Sequence, residues 1–159
     1  MENTINFREA CSDDCKLLFE WANQSEVREN AFSAKSIEWE EHKNWFYGKM
    51  ESKNSHIFIL CDNQNSPVGQ VRYDIDDGGV AEVDINIDAS FRGRNYGTWG
   101  LKKTSTHVLD KLWVKKIIAH IKKENLVSLK AFEKAGFINQ GVVIFKNEEV
   151  YKMLSEEEK

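Results

Sequence analysis

The sequence is poor in proline and cysteine and lacks any long apolar run. Its single proline, Pro67, leaves no proline-rich linker, and no repeat divides the 159 residues, so we expect one domain over 1–159 with a charged, frayed end at 155–159. No apolar segment approaches the roughly 20 residues that a membrane span needs. The start of the chain has neither the basic flank nor the apolar core of a signal peptide. We therefore expect a cytoplasmic protein that has no membrane partner.

The chain also lacks the residue spacings of a metal site. Its cysteines, Cys11, Cys15 and Cys61, are odd in number and show no paired metal-ligand spacing, so we expect reduced thiols and no metal. The four histidines are not spaced for metal binding either, and none is predicted to be catalytic. The net charge of -4 gives no reason to expect a nucleic-acid partner, although a local basic patch could still bind a small phosphorylated ligand.

Apolar periodicity predicts the element order β-α-α-β-β-β-α-β-α-β-β, with 20–30 as a loop after the first helix. A meander of strands followed by a β-α-β-α run implies an α/β (α+β) fold with a mixed sheet and helices on its faces. The predicted strands cover 5–8, 56–60, 68–75, 81–88, 114–121, 138–145 and 148–154; the helices begin at Ser12 and Ser36 or cover 96–111 and 125–135.

The strand predicted over 81–88 alternates strictly between apolar and polar residues. Val83, Ile85 and Ile87 point to one side, while Glu82 and Asp84 share the other. Carboxylates on one side of a strand could take or give a proton, so Glu82 and Asp84 are both candidates for that role. A strand face that is merely solvated is the alternative reading of the same pattern.

A turn with two glycines and two arginines, Arg92-Gly93-Arg94-Asn95-Tyr96-Gly97, lies between this strand and the next helix. Gly93 and Gly97 let the backbone approach a ligand closely, and the first N–H groups of the helix favour an anion at the same place. Arg92 and Arg94 add forked donors suited to phosphate oxygens. The turn therefore predicts a phosphate or pyrophosphate site, with a purely structural turn as the alternative. It lacks the Gly-Lys-Ser/Thr ending of a triphosphate loop, and it does not open a βαβ unit as a dinucleotide fingerprint does.

A second segment follows further along the chain, Asn125-Leu-Val-Ser128-Leu-Lys-Ala-Phe132-Glu-Lys-Ala-Gly136-Phe137. Together with the arginine–glycine turn it resembles motifs A and B of the Gcn5-related N-acetyltransferase (GNAT) superfamily. The predicted strand order resembles that fold over essentially the whole chain. The resemblance implies a mixed, mostly antiparallel sheet of six to seven strands and acetyl-CoA as cosubstrate.

The resemblance also implies where the cosubstrate would lie. Its pyrophosphate would rest on the backbone of the turn, and its pantetheine arm would run along the strand edge at Ile85 and Ile87. N–H groups left free where two parallel strands splay apart would hold the thioester carbonyl. The cosubstrate-binding residues implied in this way are Ile85, Ile87, Arg92, Gly93, Arg94, Asn95, Tyr96, Gly97, Thr98, Asn125, Ser128 and Phe132.

The sequence departs from the family pattern at two positions. Family members usually have a glycine where Asn95 stands, and asparagine tolerates a left-handed backbone better than most residues. Many members have a tyrosine, which protonates the departing thiolate, where Phe132 stands. A thiol has a pKa of roughly 8.5, so the thiolate is already a fair leaving group. The acid is therefore dispensable, or Tyr73, Tyr96 or Tyr151 supplies it.

The first third of the chain and the strand at 68–75 are expected to shape the acceptor pocket. Arginines in a pocket suit phosphate, so Arg28 and Arg72 point to a nucleotide-linked acceptor; aromatic stripes at helical spacing, by contrast, are also typical of a core. This part of the chain is similar to the branch that acetylates nucleotide-linked 4-amino sugars in pseudaminic-acid-type pathways. The predicted substrate-binding residues are Arg28, Glu29, Trp45, Gln70, Arg72 and Tyr73.

Two other functions stay open at this point. The first third also resembles ribosomal-protein-type protein N-terminal acetyltransferases, which would acetylate a peptide amine. The missing tyrosine at Phe132 leaves a non-catalytic acyl-CoA-binding module as a second alternative. The acceptor amine, the choice between Glu82 and Asp84, and the oligomeric state, a homodimer included, are not determined by the residues.

Overall fold

Seven strands form one mixed sheet within residues 5–157, which the computed structural model describes. The strands are β1 (Asn6–Glu9), β2 (Ser55–Cys61), β3 (Pro67–Ile75), β4 (Val80–Ile87), β5 (Lys116–Lys122), β6 (Ile138–Phe145) and β7 (Glu148–Glu156). Their order across the sheet is β1-β2-β3-β4-β5-β7-β6, and every neighbouring pair is antiparallel except β4 and β5. This confirms the predicted α/β fold class with a mostly antiparallel sheet.

Helices connect the strands at the places where the apolar period changes to that of a helix. They are α1 (Cys15–Ala22), α2 (Ser25–Asn30), α3 (Trp39–Glu51), α4 (Tyr96–Lys111) and α5 (Leu126–Lys134), with 3₁₀ turns at Ser12–Asp14 and Ala89–Phe91. The bounds of α4 agree with those predicted from the sequence. Within 5–157, no helix is long and apolar enough to cross a membrane.

Three local predictions were wrong. The segment predicted as a loop over 20–30 contains α2, which apolar periodicity missed because none of its residues is buried. The helix predicted from Ser36 begins at Trp39, since the Ile37 N–H is instead bonded to Asn23 Oδ1 at 2.7 Å. The predicted frayed end includes Ser155 and Glu156, which pair with β5; residues 158–159 lie outside the described residues.

The two faces of the sheet carry separate apolar clusters. Leu101 and Val108 of α4 and Phe132 of α5 belong to the larger cluster. Trp21 of α1 and Phe46 of α3 belong to the smaller one, on the opposite face. We call these the α4–α5 face and the α1–α3 face.

A fork opens in the middle of the sheet, between β4 and β5. Their parallel ladder runs from Val80 opposite Lys116 to Glu82 opposite Ile118 and then ends. Beyond Glu82, β4 continues beside β3 to Ile87, while β5 continues beside β7. The fork therefore separates the strands immediately before β4 enters the arginine–glycine turn.

Candidate functional site

Six polar side chains form a block on the α1–α3 face, where β3 and β4 run side by side. Residues opposite each other in an antiparallel pair point to the same face. On β2, Ile57 lies opposite Arg72 and Ile59 lies opposite Gln70. Both isoleucines belong to the α1–α3 cluster, so the polar block is on the same face. The opposed pairs of the polar block are Gln70–Asn86, Arg72–Asp84 and Asp74–Glu82.

Arg72 lies at the centre of the polar block. Its Nε donates to Asp74 Oδ2 at 3.0 Å, and its Nη1 lies 3.7 Å from Asp84 Oδ2. Its guanidinium carbon lies 5.0 Å from the ring centre of Trp45 on α3, a cation–π distance. Burial lowers the pKa of Arg72, but Asp84 and Asp74 outweigh it, so the net direction is upward and the group stays charged.

Asp74 anchors α3 to the sheet through three donors. Its carboxylate accepts from Lys49 Nζ at 2.8 Å and from Ser55 Oγ at 2.6 Å, in addition to Arg72. Burial raises the pKa of Asp74, yet the donors Lys49, Ser55 and Arg72 bring it below its usual value. The carboxylate is therefore charged at neutral pH, and three side chains donate to it although it is partly exposed.

Glu82 differs from the other carboxylates because its neighbour is a histidine. Its Oε1 lies 3.3 Å from Nδ1 of His120 on β5. The ring of His120 stacks on Phe145 with 3.9 Å between centroids and 5° between planes. The His120 side chain is 11% exposed and that of Glu82 46%. Glu82 is also the last residue of β4 that pairs with β5, so this carboxylate lies at the fork.

The arginine–glycine turn has the backbone that an anion site needs. Gly93 has a φ of +79°, and Asn95, directly before α4, is left-handed with φ 65° and ψ 14°. Asparagine thus takes here the conformation for which glycine is the usual choice. Its side chain makes no capping bond to α4, so the N–H groups of the first turn of the helix are left to other partners.

Arg92 points away from that helix start and toward α2. Its Nε donates to Ile87 O at 3.0 Å, its Nη2 donates to Gln24 Oε1 at 3.2 Å, and its Nη1 forms an ion pair with Glu26. The guanidinium carbon of Arg94 lies over the Phe91 ring at 5.7 Å. The Arg92 side chain is therefore engaged by protein partners, and the contact of this turn with a phosphate stays a prediction.

Asp88 joins α1 to the end of β4. It accepts hydrogen bonds from Trp21 Nε1 at 2.8 Å, from Gln24 Nε2 at 3.4 Å and from Ser90 N at 3.0 Å. Burial raises the pKa of Asp88, but the hydrogen bonds from Ser90, Trp21 and Gln24 lower it overall. These hydrogen bonds hold the segment between β4 and the arginine–glycine turn against α1.

The second motif spans α5, from its N-cap Asn125 to the turn that follows the helix. Asn125 Oδ1 accepts from Ser128 N at 3.2 Å, so Asn125 caps the helix. Phe132 is 2% exposed and packs edge-on against Phe137, with ring centroids 4.9 Å apart. The hydrogen bond between Asn125 and Ser128 accounts for both residues structurally, and their predicted contact with a cosubstrate stays a prediction.

Arg28 and Glu29 lie on α2, apart from the polar block. Arg28 donates to the main-chain oxygens of Ala22, Ser33 and Lys35 at 2.7, 3.2 and 3.3 Å, and so braces the segment that leads to α3. Glu29 is exposed. The structure brings only the other predicted acceptor residues near the fork: Trp45, Gln70 and Arg72.

Tyr73 lies on the opposite face of β3 from Arg72 and is fully buried in the α4–α5 cluster. Its hydroxyl shares hydrogen bonds with Thr104 Oγ1 at 2.8 Å and Ser105 Oγ at 3.2 Å. Burial raises the pKa of Tyr73 to about 12, against these hydrogen bonds. The geometry gives this hydroxyl a packing role. Tyr96 and Tyr151 are both partly exposed.

Sequence reasoning missed His120, Asp74 and Asn86. His120 meets Glu82 only through the β4–β5 pairing, and no local pattern shows which strands become neighbours. Asn86 was visible on the polar side of the alternating strand. Its Oδ1 is buried and has no hydrogen-bond partner among the described residues. Across the described part of the chain, no group of three or more potential ligands could hold a metal ion.

The fork, the left-handed turn and the helix start together are the arrangement of a GNAT-type α/β fold. Residues 4–138 match the family described as acetyltransferase (GNAT) domain, and the chain belongs to that family. Enzymes of this family use acetyl-CoA as cosubstrate.

Solved structures support the same fold. AAC(6')-Ib in complex with paromomycin and acetyl-CoA is similar with a TM-score of 0.85 and 21% identity, over 97% of this chain and 94% of that chain. The spermidine N-acetyltransferase of Vibrio cholerae in complex with CoA and spermine has a TM-score of 0.85 at 18% identity, over 96% of this chain and 95% of that one.

Two relatives are similar in sequence over part of their length. YwnH of Bacillus subtilis (strain 168), named for phosphinothricin acetyltransferase activity, is 29% identical over 65% of this chain and 64% of its own. An N-acetyltransferase 9-like protein of Nematostella vectensis is 30% identical over 74% of this chain and 66% of its own. The chain thus spans about two thirds of the length of each relative.

Proposed function

We propose that this chain transfers the acetyl group of acetyl-CoA to a primary amine of a small acceptor, by direct attack on the thioester. The observation that carries the proposal is the position of the fork. It opens at Glu82, with the uncapped start of α4 at one end and the polar block of the α1–α3 face beside it. A cosubstrate held along β4 would thus present its thioester next to carboxylates that can accept a proton.

The chemistry needs one proton to leave the acceptor. An ammonium group has no lone pair, so a base, Glu82 or Asp84, takes a proton and leaves a neutral amine. The amine nitrogen forms a bond to the thioester carbon as the carbon–sulfur bond breaks. The N-protonated amide that forms passes its second nitrogen proton to the CoA thiolate, and the base releases the first proton to water. Free N–H groups at the fork would stabilise the charge on the carbonyl oxygen.

The acceptor is proposed to be a nucleotide-linked amino sugar. Arg72 stacked on Trp45 supports this assignment, because that pair offers a cationic and aromatic surface beside the carboxylates. A cytoplasmic location remains a prediction from the sequence.

A second acceptor class has its own supporting observation. Arg28 is committed to main-chain oxygens and Arg72 to Asp74 and Asp84, whereas the Glu82 and Asp84 side chains are 46% and 55% exposed. Exposed carboxylates favour a cationic amine over an anionic nucleotide. The neighbours named above are in complex with such amines, paromomycin and spermine.

An acceptor screen tests both parts of the proposal, which are acetyl transfer to a small amine and the chemical class of that amine. Purified protein is mixed with acetyl-CoA and, in parallel, with UDP-linked amino sugars, unlinked amino sugars, aminoglycosides, spermidine and N-terminal peptides, while release of the CoA thiol is followed. We expect release with a small amine and none with acetyl-CoA alone. Transfer to peptides alone would replace the small-amine proposal with a protein acetyltransferase. Tight acetyl-CoA binding without transfer to any amine would indicate a non-catalytic binding module.

A further inference from the structure

We propose that Glu82 is the group that takes the acceptor's proton and that His120 is the positioning residue that holds it. The inference rests on the proposed acetyl transfer and chooses between two carboxylates that the sequence leaves equivalent. Glu82 and Asp84 lie two residues apart on the same side of β4. They differ in what surrounds them, and that difference carries the assignment.

Asp84 is committed to the polar block. Its Oδ2 lies 3.7 Å from Arg72 Nη1 and accepts from Gln70 Nε2 at 3.3 Å. A carboxylate beside a permanent positive charge is a weak proton acceptor, because that charge favours its ionised form. Asp84 therefore suits orientation of Arg72 and of the acceptor better than proton transfer.

Arg72 also acts on Glu82, but more weakly than on Asp74 and Asp84, which it contacts directly, and the side-chain contact of Glu82 is the imidazole of His120. With the proton on Nδ1, His120 donates to Glu82 Oε1 and leaves the second carboxylate oxygen for the acceptor. Glu82 is also the residue at which the β4–β5 ladder ends, so its side chain borders the fork where the thioester would lie. The position of Glu82 at the fork and its second carboxylate oxygen, which His120 does not contact, together suit a general base.

The imidazole is itself held in one plane. Phe145 stacks on it at 3.9 Å and 5°, and Phe32 packs edge-on against Phe145 at 5.2 Å. A ring fixed in this way can direct one nitrogen to one carboxylate oxygen. The charged groups around the imidazole are Glu82 and Asp84 on β4, Lys122 on β5, Lys152 on β7, and Lys146 and Glu148 at the β6–β7 turn.

The test compares His120→Phe with His120→Asn. Phenylalanine keeps a ring against Phe145 but cannot donate to Glu82; asparagine places an amide donor near the position of Nδ1 but has no titratable group. With an amine found in the screen, we expect His120→Phe to lower kcat/KM roughly 10- to 100-fold and His120→Asn to recover most of that loss. Glu82→Gln should cost roughly 100-fold or more.

The pH profile separates positioning from a general loss of structure. A donor hydrogen bond favours the ionised carboxylate, so its removal should move the acidic limb of the kcat/KM profile upward in pH. We expect this move in His120→Phe and not in His120→Asn. Two acceptors of different basicity identify the limb that belongs to the protein, since a limb from the acceptor amine differs between them.

Two further variants control for the loss of a histidine elsewhere and for the orientation of the imidazole. His107→Gln removes a histidine from α4, where it contacts Phe7 and Phe58, and should leave kcat/KM unchanged. Phe145→Leu frees the imidazole plane without touching a polar atom and should cost a few-fold. Acetyl-CoA affinity and Tm report whether each variant is folded.

Two results would overturn the assignment. One is an unchanged rate and pH profile in His120→Phe. The other is Asp84→Asn, rather than Glu82→Gln, abolishing the acidic limb. Failure of wild-type protein to acetylate any amine is a separate result, which would refute the proposed function itself.

Discussion

The two faces of the sheet are held by different balances of apolar and polar contacts. On the α4–α5 face, hydrogen bonds join Tyr73 to Thr104 and Ser105 and Lys103 to the Ile5 carbonyl, but apolar contacts dominate. The α4–α5 face packs through the larger apolar cluster, to which helices and strands contribute side chains such as Leu101, Val108 and Ile117. The α1–α3 face has a smaller apolar cluster, and charged or hydrogen-bonded pairs attach its helices to the sheet. Those contacts are Arg8–Asp14, Trp21–Asp88 and Lys49–Asp74.

This difference agrees with the proposed roles of the two faces, which are support of the cosubstrate-binding turn and binding of the acceptor. Apolar packing is insensitive to charge, and it supports a turn whose main chain would bind the cosubstrate. Polar attachment leaves carboxylates and an arginine on the acceptor side, where a base and a specificity surface are needed. Changes in charge should therefore affect the α1–α3 face and leave the α4–α5 face intact.

The largest effect is expected from Arg72→Met. It removes the cation between Asp74 and Asp84. Lys49 and Ser55 still donate to Asp74 and Gln70 to Asp84, and both carboxylates are partly exposed, so the free energy of unfolding should fall by about 2–3 kcal/mol. Urea unfolding measures the loss. The acceptor KM should rise, while the Kd for acetyl-CoA should stay within about twofold, because the turn lies outside the polar block.

Arg72→Lys is the matched variant for this experiment. It keeps the charge but loses the planar group that stacks on Trp45 and reaches both carboxylates. We expect it to recover most of the stability and little of the acceptor affinity. Equal loss of acetyl-CoA affinity in both variants would show that the two faces are not independent.

The comparison also explains what could be predicted from the sequence. The turn at Arg92–Gly97 and the helix α4 are local features, so their residues stand together in the chain and are recognisable there. The polar block depends on the register between β3 and β4, and the contact between Glu82 and His120 depends on β5 lying beside β4. Periodicity gives the face of each residue on its own strand but not its neighbour across the sheet.

Two predicted acceptor residues show the same limit. Tyr73 is next to Arg72 in the chain, yet adjacent residues of a strand point to opposite faces, and Tyr73 lies in the core. Arg28 has the side chain that suits a phosphate, but its partners are main-chain oxygens that only the folded chain brings within reach.

A smaller effect is expected from Asn95→Val, which acts on the cosubstrate side. Valine is β-branched and is strained at the φ of 65° that Asn95 adopts, so the change should cost about 2 kcal/mol or displace the turn. Acetyl-CoA affinity, measured by calorimetry, should fall roughly tenfold or more, with acceptor binding little altered.

Asn95→Gly controls for the loss of the side chain, because glycine adopts the same backbone without strain. We expect its acetyl-CoA affinity to match that of the wild type. Weaker binding in Asn95→Gly as well would mean that the asparagine amide itself contacts the cosubstrate.

The smallest effect is expected from Asp14→Asn, which tests the polar attachment of the α1–α3 face. Asp14 accepts from Arg8 at 2.8 and 3.0 Å, and this hydrogen bond lowers the pKa of Asp14 below its usual 3.8, against the effect of burial. Arg8 is 43% exposed, so solvent screens the pair and the loss at pH 7 should be about 1 kcal/mol.

The sign of the pH dependence follows from the lowered pKa. The ionised carboxylate contributes its stability above the usual pKa of 3.8, and the contribution is lost as pH falls through the lower folded value. Wild type and Asp14→Asn should therefore differ in urea unfolding at pH 7 and converge below that value. Asp13 is an exposed neighbour, so Asp13→Asn should have the same free energy of unfolding as wild type at every pH. Asp74 and Asp88 on the α1–α3 face also have lowered pKa values, so their protonation in acid removes stability from that face. Hydrogen exchange measured in acid should therefore show faster exchange of the α1 amides before those of α4. Simultaneous loosening of both helices would mean that the apolar clusters, and not the ion pairs, set the stability of both faces.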